Sequence, residues 1–129
     1  MRRRNKDPPM NPGTRAITAA VVRIMKKNHM IDRIEDRGQA KKISISGTLS
    51  AKAIDLYDHS RGCHMNVTVD GHHATVHDHK TGKYLTLTIS GTSFSGYDAG
   101  SSKNFSGSIR DLSIDIYDSE DGHTHVYAG

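Results

Sequence analysis

At 129 residues, with a hydrophobic share of 34%, the chain is long enough to bury one core without a metal or disulfide staple; its single cysteine, Cys63, excludes an intramolecular disulfide framework. The formal charge of +4 hides a division: residues 1–50 hold 12 Lys and Arg against 4 Asp and Glu, whereas residues 51–129 hold 6 against 10. No apolar run is long enough for a membrane span, and Pro8, Pro9 and Pro12 stand where a signal peptide would carry its apolar segment, so a cytoplasmic or virion-associated protein is expected.

Residues 1–13, MRRRNKDPPMNPG, have no apolar periodicity and read as a flexible basic arm ahead of a single domain over 14–129. From Thr14 the pattern turns helical, with Ile17, Val21, Ile24, Ile31 and Ile34 on one stripe and Arg23, Lys26, Lys27 and Arg33 largely off it. Thr14 can cap the start and Gly38 can follow the end, which predicts an amphipathic helix over 14–37 lying as a lid across a sheet. After Gly38 the period changes to two, Ile43, Ile45 and Leu49 alternating with Ser44, Ser46 and Thr48.

The rest of the chain repeats every twenty residues, and the phrase Tyr57-Asp58, His77-Asp78, Tyr97-Asp98, Tyr117-Asp118 marks four units aligned without a gap. Each unit encodes strand, loop, strand, turn. Four-residue loops follow the Asp and end in Gly62, Gly82, Ser102 and Gly122, a position that suits positive φ; the Asp can accept hydrogen bonds from the loop backbone. Two-residue turns are expected at Ser50-Ala51, Asp70-Gly71, Ser90-Gly91 and Arg110-Asp111.

This register puts Asp58 opposite Cys63, Asp78 opposite Lys83, Asp98 opposite Lys103 and Asp118 opposite His123. It also sets Phe94 over Gly107 and Phe105 over Gly96, where each ring supplies the packing that the glycine lacks. One face collects Ile45, Leu56, Met65, Val76, Leu85, Phe105 and Ile116, with Ile54, Val67, Leu87, Phe94 and Ile114 in the next row. A parallel solenoid of the same period would stack the Asp residues about 4.8 Å apart, whereas a meander separates them by two strands, about 9.6 Å, at lower electrostatic cost. The expected fold is therefore α+β: the helix packed on a nine-stranded antiparallel meander over 43–128, a strongly curled sheet or a barrel, built from four hairpin repeats.

On the polar face the register forms one row, Ser44, Tyr57, His64, His77, Tyr84, Tyr97, Asn104, Tyr117 and Thr124, with His64 directly opposite His77. Tyr57, His64, His77, Tyr84, Tyr97 and Tyr117 are the candidate partner-binding residues, since rings beside hydroxyls and amides supply contact area and adaptable hydrogen bonds. No nucleophile elbow, phosphate loop or dinucleotide fingerprint occurs. The leading expectation is a non-catalytic binding or assembly module with no cofactor, a phage- or accessory-type structural or inhibitory protein that engages a protein partner or a second copy of itself. One alternative is nucleic-acid or nucleotide binding by Arg2, Arg3, Arg4, Lys26, Lys27, Lys41 and Lys42, with the ring row as a stacking platform. A second is a metal-dependent hydrolase at His64, His77 and His79.

Overall fold

The computed structural model describes residues 12–79, 82–111, 113–118 and 122–128, which form one helix and ten strands. The helix α1 spans Pro12–Lys27. The strands are β1 (Arg33–Asp36), β2 (Lys41–Leu49), β3 (Ala53–Asp58), β4 (Cys63–Asp70), β5 (His73–Asp78), β6 (Lys83–Ser90), β7 (Ser93–Asp98), β8 (Lys103–Ile109), β9 (Ile114–Asp118) and β10 (His123–Ala128). Every strand pairs antiparallel with its sequence neighbours, and β1 pairs with β10 through Asp36–Tyr127, so the sheet closes into a barrel. Closure removes the sheet edge.

All twelve positions expected on the apolar face are buried, from Ile45 to Ile116. The pairings Asp58–Cys63, Asp78–Lys83, Asp98–Lys103 and Asp118–His123 occur as expected, as do Phe94–Gly107 and Phe105–Gly96. Across the shorter turns the expected register is corrected by two positions, so that Asn66, and not His64, stands opposite His77. The turn residues there are Gly71-His72, because Asp70 pairs with His73, and Gly91-Thr92, because Ser90 pairs with Ser93. Gly71 and Gly91, at φ of 62–63°, occupy the first central position of the turn, where a two-residue hairpin of the II′ kind needs glycine. The shift at each such turn preserves which face a side chain occupies. It supplies the stagger that tilted strands need in order to close a barrel.

The helix expected over 14–37 ends at Lys27. Asn28 takes φ 52° and the His29 amide bonds the Ile24 carbonyl at 3.3 Å, a left-handed stop that Asn tolerates well. Ile34, assigned by its spacing to the helix stripe, is instead the inward residue of β1, the strand that raises the count from nine to ten. Of the arm expected over 1–13, residues 1–11 lie outside the described residues, while Pro12 and Gly13 begin the helix.

Nor is the helix a lid. Every residue from Arg15 to Ile24 is buried, about 2.8 turns with no face left to solvent. Its first turn meets β9 and β10 through Arg15, and its last turn reaches the carbonyls of Arg110 and Gly91 at the opposite end through Arg23 and Lys26. The helix therefore runs lengthwise through the barrel. A barrel somewhat wider than eight strands has more lumen than wall side chains can fill. Ala16, Ala19 and Ala20 keep the helix thin enough to occupy it.

Candidate functional site

The four-residue loops gather at the barrel mouth that receives the helix N-terminus. Asp58, Asp78, Asp98 and Asp118 point inward there, each at most 5% exposed. Asp36 joins them. It stands twenty-two positions before Asp58, precedes the loop Arg37–Ala40, and is followed by Lys41 as Asp98 is by Lys103. Ala40 (φ 51°) occupies the loop position of Gly62, Gly82, Gly122 and Ser102 (φ 60°), so the barrel is five hairpins with five inward carboxylates.

The helix and its loops neutralise these acids. Arg15 donates from Nη1 to Asp118 Oδ2 at 3.2 Å and from Nε to the Tyr127 hydroxyl oxygen at 3.0 Å. Arg61 donates from Nε to Asp58 Oδ2 at 2.9 Å and from Nη1 to Asp78 Oδ2 at 3.4 Å, tying two neighbouring hairpins together. Asp58 Oδ1 also accepts from the Ser60 amide and hydroxyl, Asp98 Oδ1 from the Gly100 amide, and Asp36 Oδ1 from the Gln39 amide. Carboxylates at a helix N-terminus also meet the positive end of its dipole.

Burial works to raise the Asp58 carboxyl, but the Arg61 and Ser60 hydrogen bonds and the Arg61 charge outweigh it and hold Asp58 below the usual carboxylate range. Burial likewise works against the Arg61 charge, yet Asp58 and Asp78 leave that guanidinium more basic than usual. Burial pushes the Tyr127 phenol up to about 12, with Asp36 and Asp118 adding to the effect and Arg15 opposing it. At the far mouth burial lowers Arg23, against the charge of Asp111, and its Nε has no hydrogen-bond partner among the described residues.

Outside the same mouth, the residue before each Asp points outward. Tyr57, His77, Tyr97 and Tyr117 stand there, with cross-strand neighbours His64, Tyr84, Asn104 and Thr124, and together they form a collar. The two-residue stagger breaks the single row expected from the sequence into steps. In one step Ser46 faces Tyr57, Tyr57 faces His64, and the His79 amide bonds the His64 carbonyl. In the next step Asn66 faces His77 and His77 faces Tyr84.

The collar side chains are in contact. The Tyr57 ring lies 4.8 Å from both His59 and His64, His77 lies 4.5 Å from His79, and His77 stacks on Tyr84 at 4.5 Å and 12°. Asn66 donates to Asp55 at 2.6 Å and bonds His79 through its carbonyl oxygen. His59 and Asn66 thus belong to the collar although neither was a candidate.

The structure divides the expected nucleic-acid set. Lys41 and Lys42 lie at the collar end, Lys26 and Lys27 at the opposite mouth, and Arg2, Arg3 and Arg4 outside the described residues. Arg61, Lys83 and Lys103 stand with the collar; the signal in the sequence for the two lysines was their shared offset from Asp78 and Asp98, which Arg61, closer to Asp58, does not follow. Of the metal alternative, His64 and His79 share an open cleft of about 500 Å³ with Arg61, and His77 touches His79 without lining that cleft. Among the described residues no group of three or more His, Cys, Asp or Glu is placed to hold a metal ion, and no helix is long and apolar enough to cross a membrane.

The fold defines a class, a closed ten-stranded antiparallel barrel filled by its own N-terminal helix. No protein-family model, curated protein or solved structure matches this chain.

Proposed function

We propose that the chain is a non-catalytic binding module that engages a macromolecular partner through its collar. One observation carries this reading: the exposed large hydrophobic side chains of the described residues are Tyr84, Tyr97 and Tyr117, and all three stand in the collar. Isolated exposed apolar residues need no explanation, but three tyrosines at one end of a barrel match the composition of recognition surfaces. Among the described residues the helix fills the lumen, and the inward carboxylates are held by the helix and the loops.

Cross-linking in extract of the native host, with wild type and with Tyr84→Thr/Tyr97→Thr/Tyr117→Thr, tests the reading. Thr keeps the strand preference and removes the rings. A partner, whether protein, nucleic acid or a second copy, captured by wild type and lost from the variant is expected. An identical captured set from both proteins overturns the reading.

A further inference from the structure

We propose that the partner is single-stranded nucleic acid, its bases stacked on the collar tyrosines and its phosphates held by the cations of the adjoining rim; this rests on the collar being the binding surface. Charge at this mouth is sorted by depth. The five aspartates are buried, whereas Arg37, Lys41, Lys42 and Lys83 are exposed and Arg61 and Lys103 half-buried; Lys41, Lys83 and Lys103 stand directly opposite Asp36, Asp78 and Asp98 at the rim. Among the described residues of the rim and collar the acids not turned inward are Glu35, half-buried and directly opposite Lys42, and Asp55, exposed and opposite Asn66. Lys80, Glu120 and Asp121 lie outside the described residues. Asp55 is bonded to Asn66; of the other outward acids, Asp115 is paired with Arg110 at 2.8 Å, and Asp32, Asp70 and Asp111 are toward the opposite mouth. A polyanion approaching this end meets exposed cations before it meets the buried acids.

Tyr84 stacks on His77, and Tyr97 and Tyr117 stand apart from that pair on β7 and β9. Lys83 precedes Tyr84 on β6, and Tyr97 faces Asn104, the residue after Lys103. Tyr97 and Tyr117 lie two strands apart and two residues out of step, about 12 Å between backbone positions, with Thr86 opposite the first and Ser106 opposite the second. A protein interface gathers its apolar residues into one dehydrated core. Rings spaced by hydroxyls, with Lys83 next in sequence to Tyr84 and Lys103 next to the residue facing Tyr97, instead suit a chain that alternates flat bases with phosphates. Duplex bases are stacked on each other and present no free face to such rings.

The test is fluorescence anisotropy of the full chain with labelled single-stranded oligothymidylate and oligouridylate and a duplex of mixed sequence, across a salt series. Saturable single-strand binding that weakens with salt is expected, with the duplex bound more weakly. Tyr84→Thr and Tyr97→Thr should each weaken it by about 5- to 100-fold, and Tyr84→Phe, which keeps the ring, should stay near wild type. Lys83→Ala and Lys103→Ala should each flatten the salt slope by about 0.7. Lys26→Ala/Lys27→Ala, at the other mouth, should change the affinity by less than about twofold.

Absence of saturable binding at low salt, equal binding by the tyrosine variants, equal preference for duplex, or a loss on changing Lys26 and Lys27 as large as that on changing the rim lysines each overturns the proposal. If a host protein is captured by wild type and lost from the triple tyrosine variant while the oligonucleotides fail to bind, the collar stands as the binding surface and only the nucleic-acid inference falls.

Discussion

Arg15 on the helix and Asp118 on β9 form an ion pair across 3.2 Å with side-chain exposures of 4% and 3%, which fastens the occupant of the barrel to its wall. Such a pair recovers little more than its own desolvation, but removing one partner strands a buried charge at a cost of about 3–5 kcal/mol. Arg15→Met and Asp118→Leu are each expected to lose stability in that range by urea denaturation. The double substitution should lose much less than the sum. Single losses below about 1 kcal/mol would show that the pair does not hold the helix.

The two glycines under phenylalanine rings set a second expectation. A Cβ at Gly96 would lie 2.0 Å from the Thr86 carbonyl oxygen and 2.6 Å from Phe105 Cζ; at Gly107 it would lie 2.1 Å from the Asp115 carbonyl oxygen and 2.3 Å from Phe94 Cζ. A ring can turn aside, but a ladder carbonyl cannot without moving its strand. Gly96→Ala and Gly107→Ala are each expected to cost about 3 kcal/mol, and Phe105→Leu should not rescue Gly96→Ala. Full rescue in the denaturation midpoint would mean that the ring, and not the backbone, sets the limit.

Those glycine pairs were legible in the sequence because period-two alternation together with loop length determines which residues face each other within a hairpin. The register between hairpins was not legible: Asp70-Gly71 matches the commonest two-residue turn, and only the stagger demanded by closure moves the turn to Gly71-His72. The fifth hairpin escaped notice because Ile31 and Ile34 continue the three-and-four spacing of the helix across the stop at Asn28. The signal that could have found it was Asp36 with Lys41 five residues on, the offset of Asp78 to Lys83 and Asp98 to Lys103. Collar membership and the inward side of each Asp followed from alternation, since Asp58 continues the row of Ile54 and Leu56, but the division of the collar into steps is a property of the closed barrel and not of any one strand.

Placement of the helix inside the barrel predicts its exchange behaviour. The amides of Val21 and Val22, on a helix buried all round, can meet solvent only when the barrel opens. Their hydrogen exchange is expected to report the global unfolding free energy, with the same urea dependence as the slowest strand amides. Ala20→Leu, which adds volume to a filled lumen, should cost about 1–3 kcal/mol. Exchange of these amides through a much smaller opening would place the helix outside.

Tyr127 predicts the alkaline limit of the fold. Its phenol is pushed up to about 12, chiefly by burial, with Asp36 and Asp118 reinforcing the shift and Arg15 opposing it; in an unfolded chain a phenol titrates near about 10. Because the folded value is the higher one, the contribution of Tyr127 is complete below pH of about 10 and is lost as pH rises toward about 12, a loss of order 2–3 kcal/mol. Tyr127→Phe removes the titration along with the Arg15 hydrogen bond, and is expected to be less stable than wild type at neutral pH by about 1–2 kcal/mol. The two proteins should therefore converge, or cross, between pH of about 10 and 12. Chemical denaturation of both across that window measures the difference directly, and ultraviolet absorbance should show a late-titrating phenol in wild type that the variant lacks. A stability gap that stays constant through the window would mean that Tyr127 ionises as readily in the barrel as in the unfolded chain.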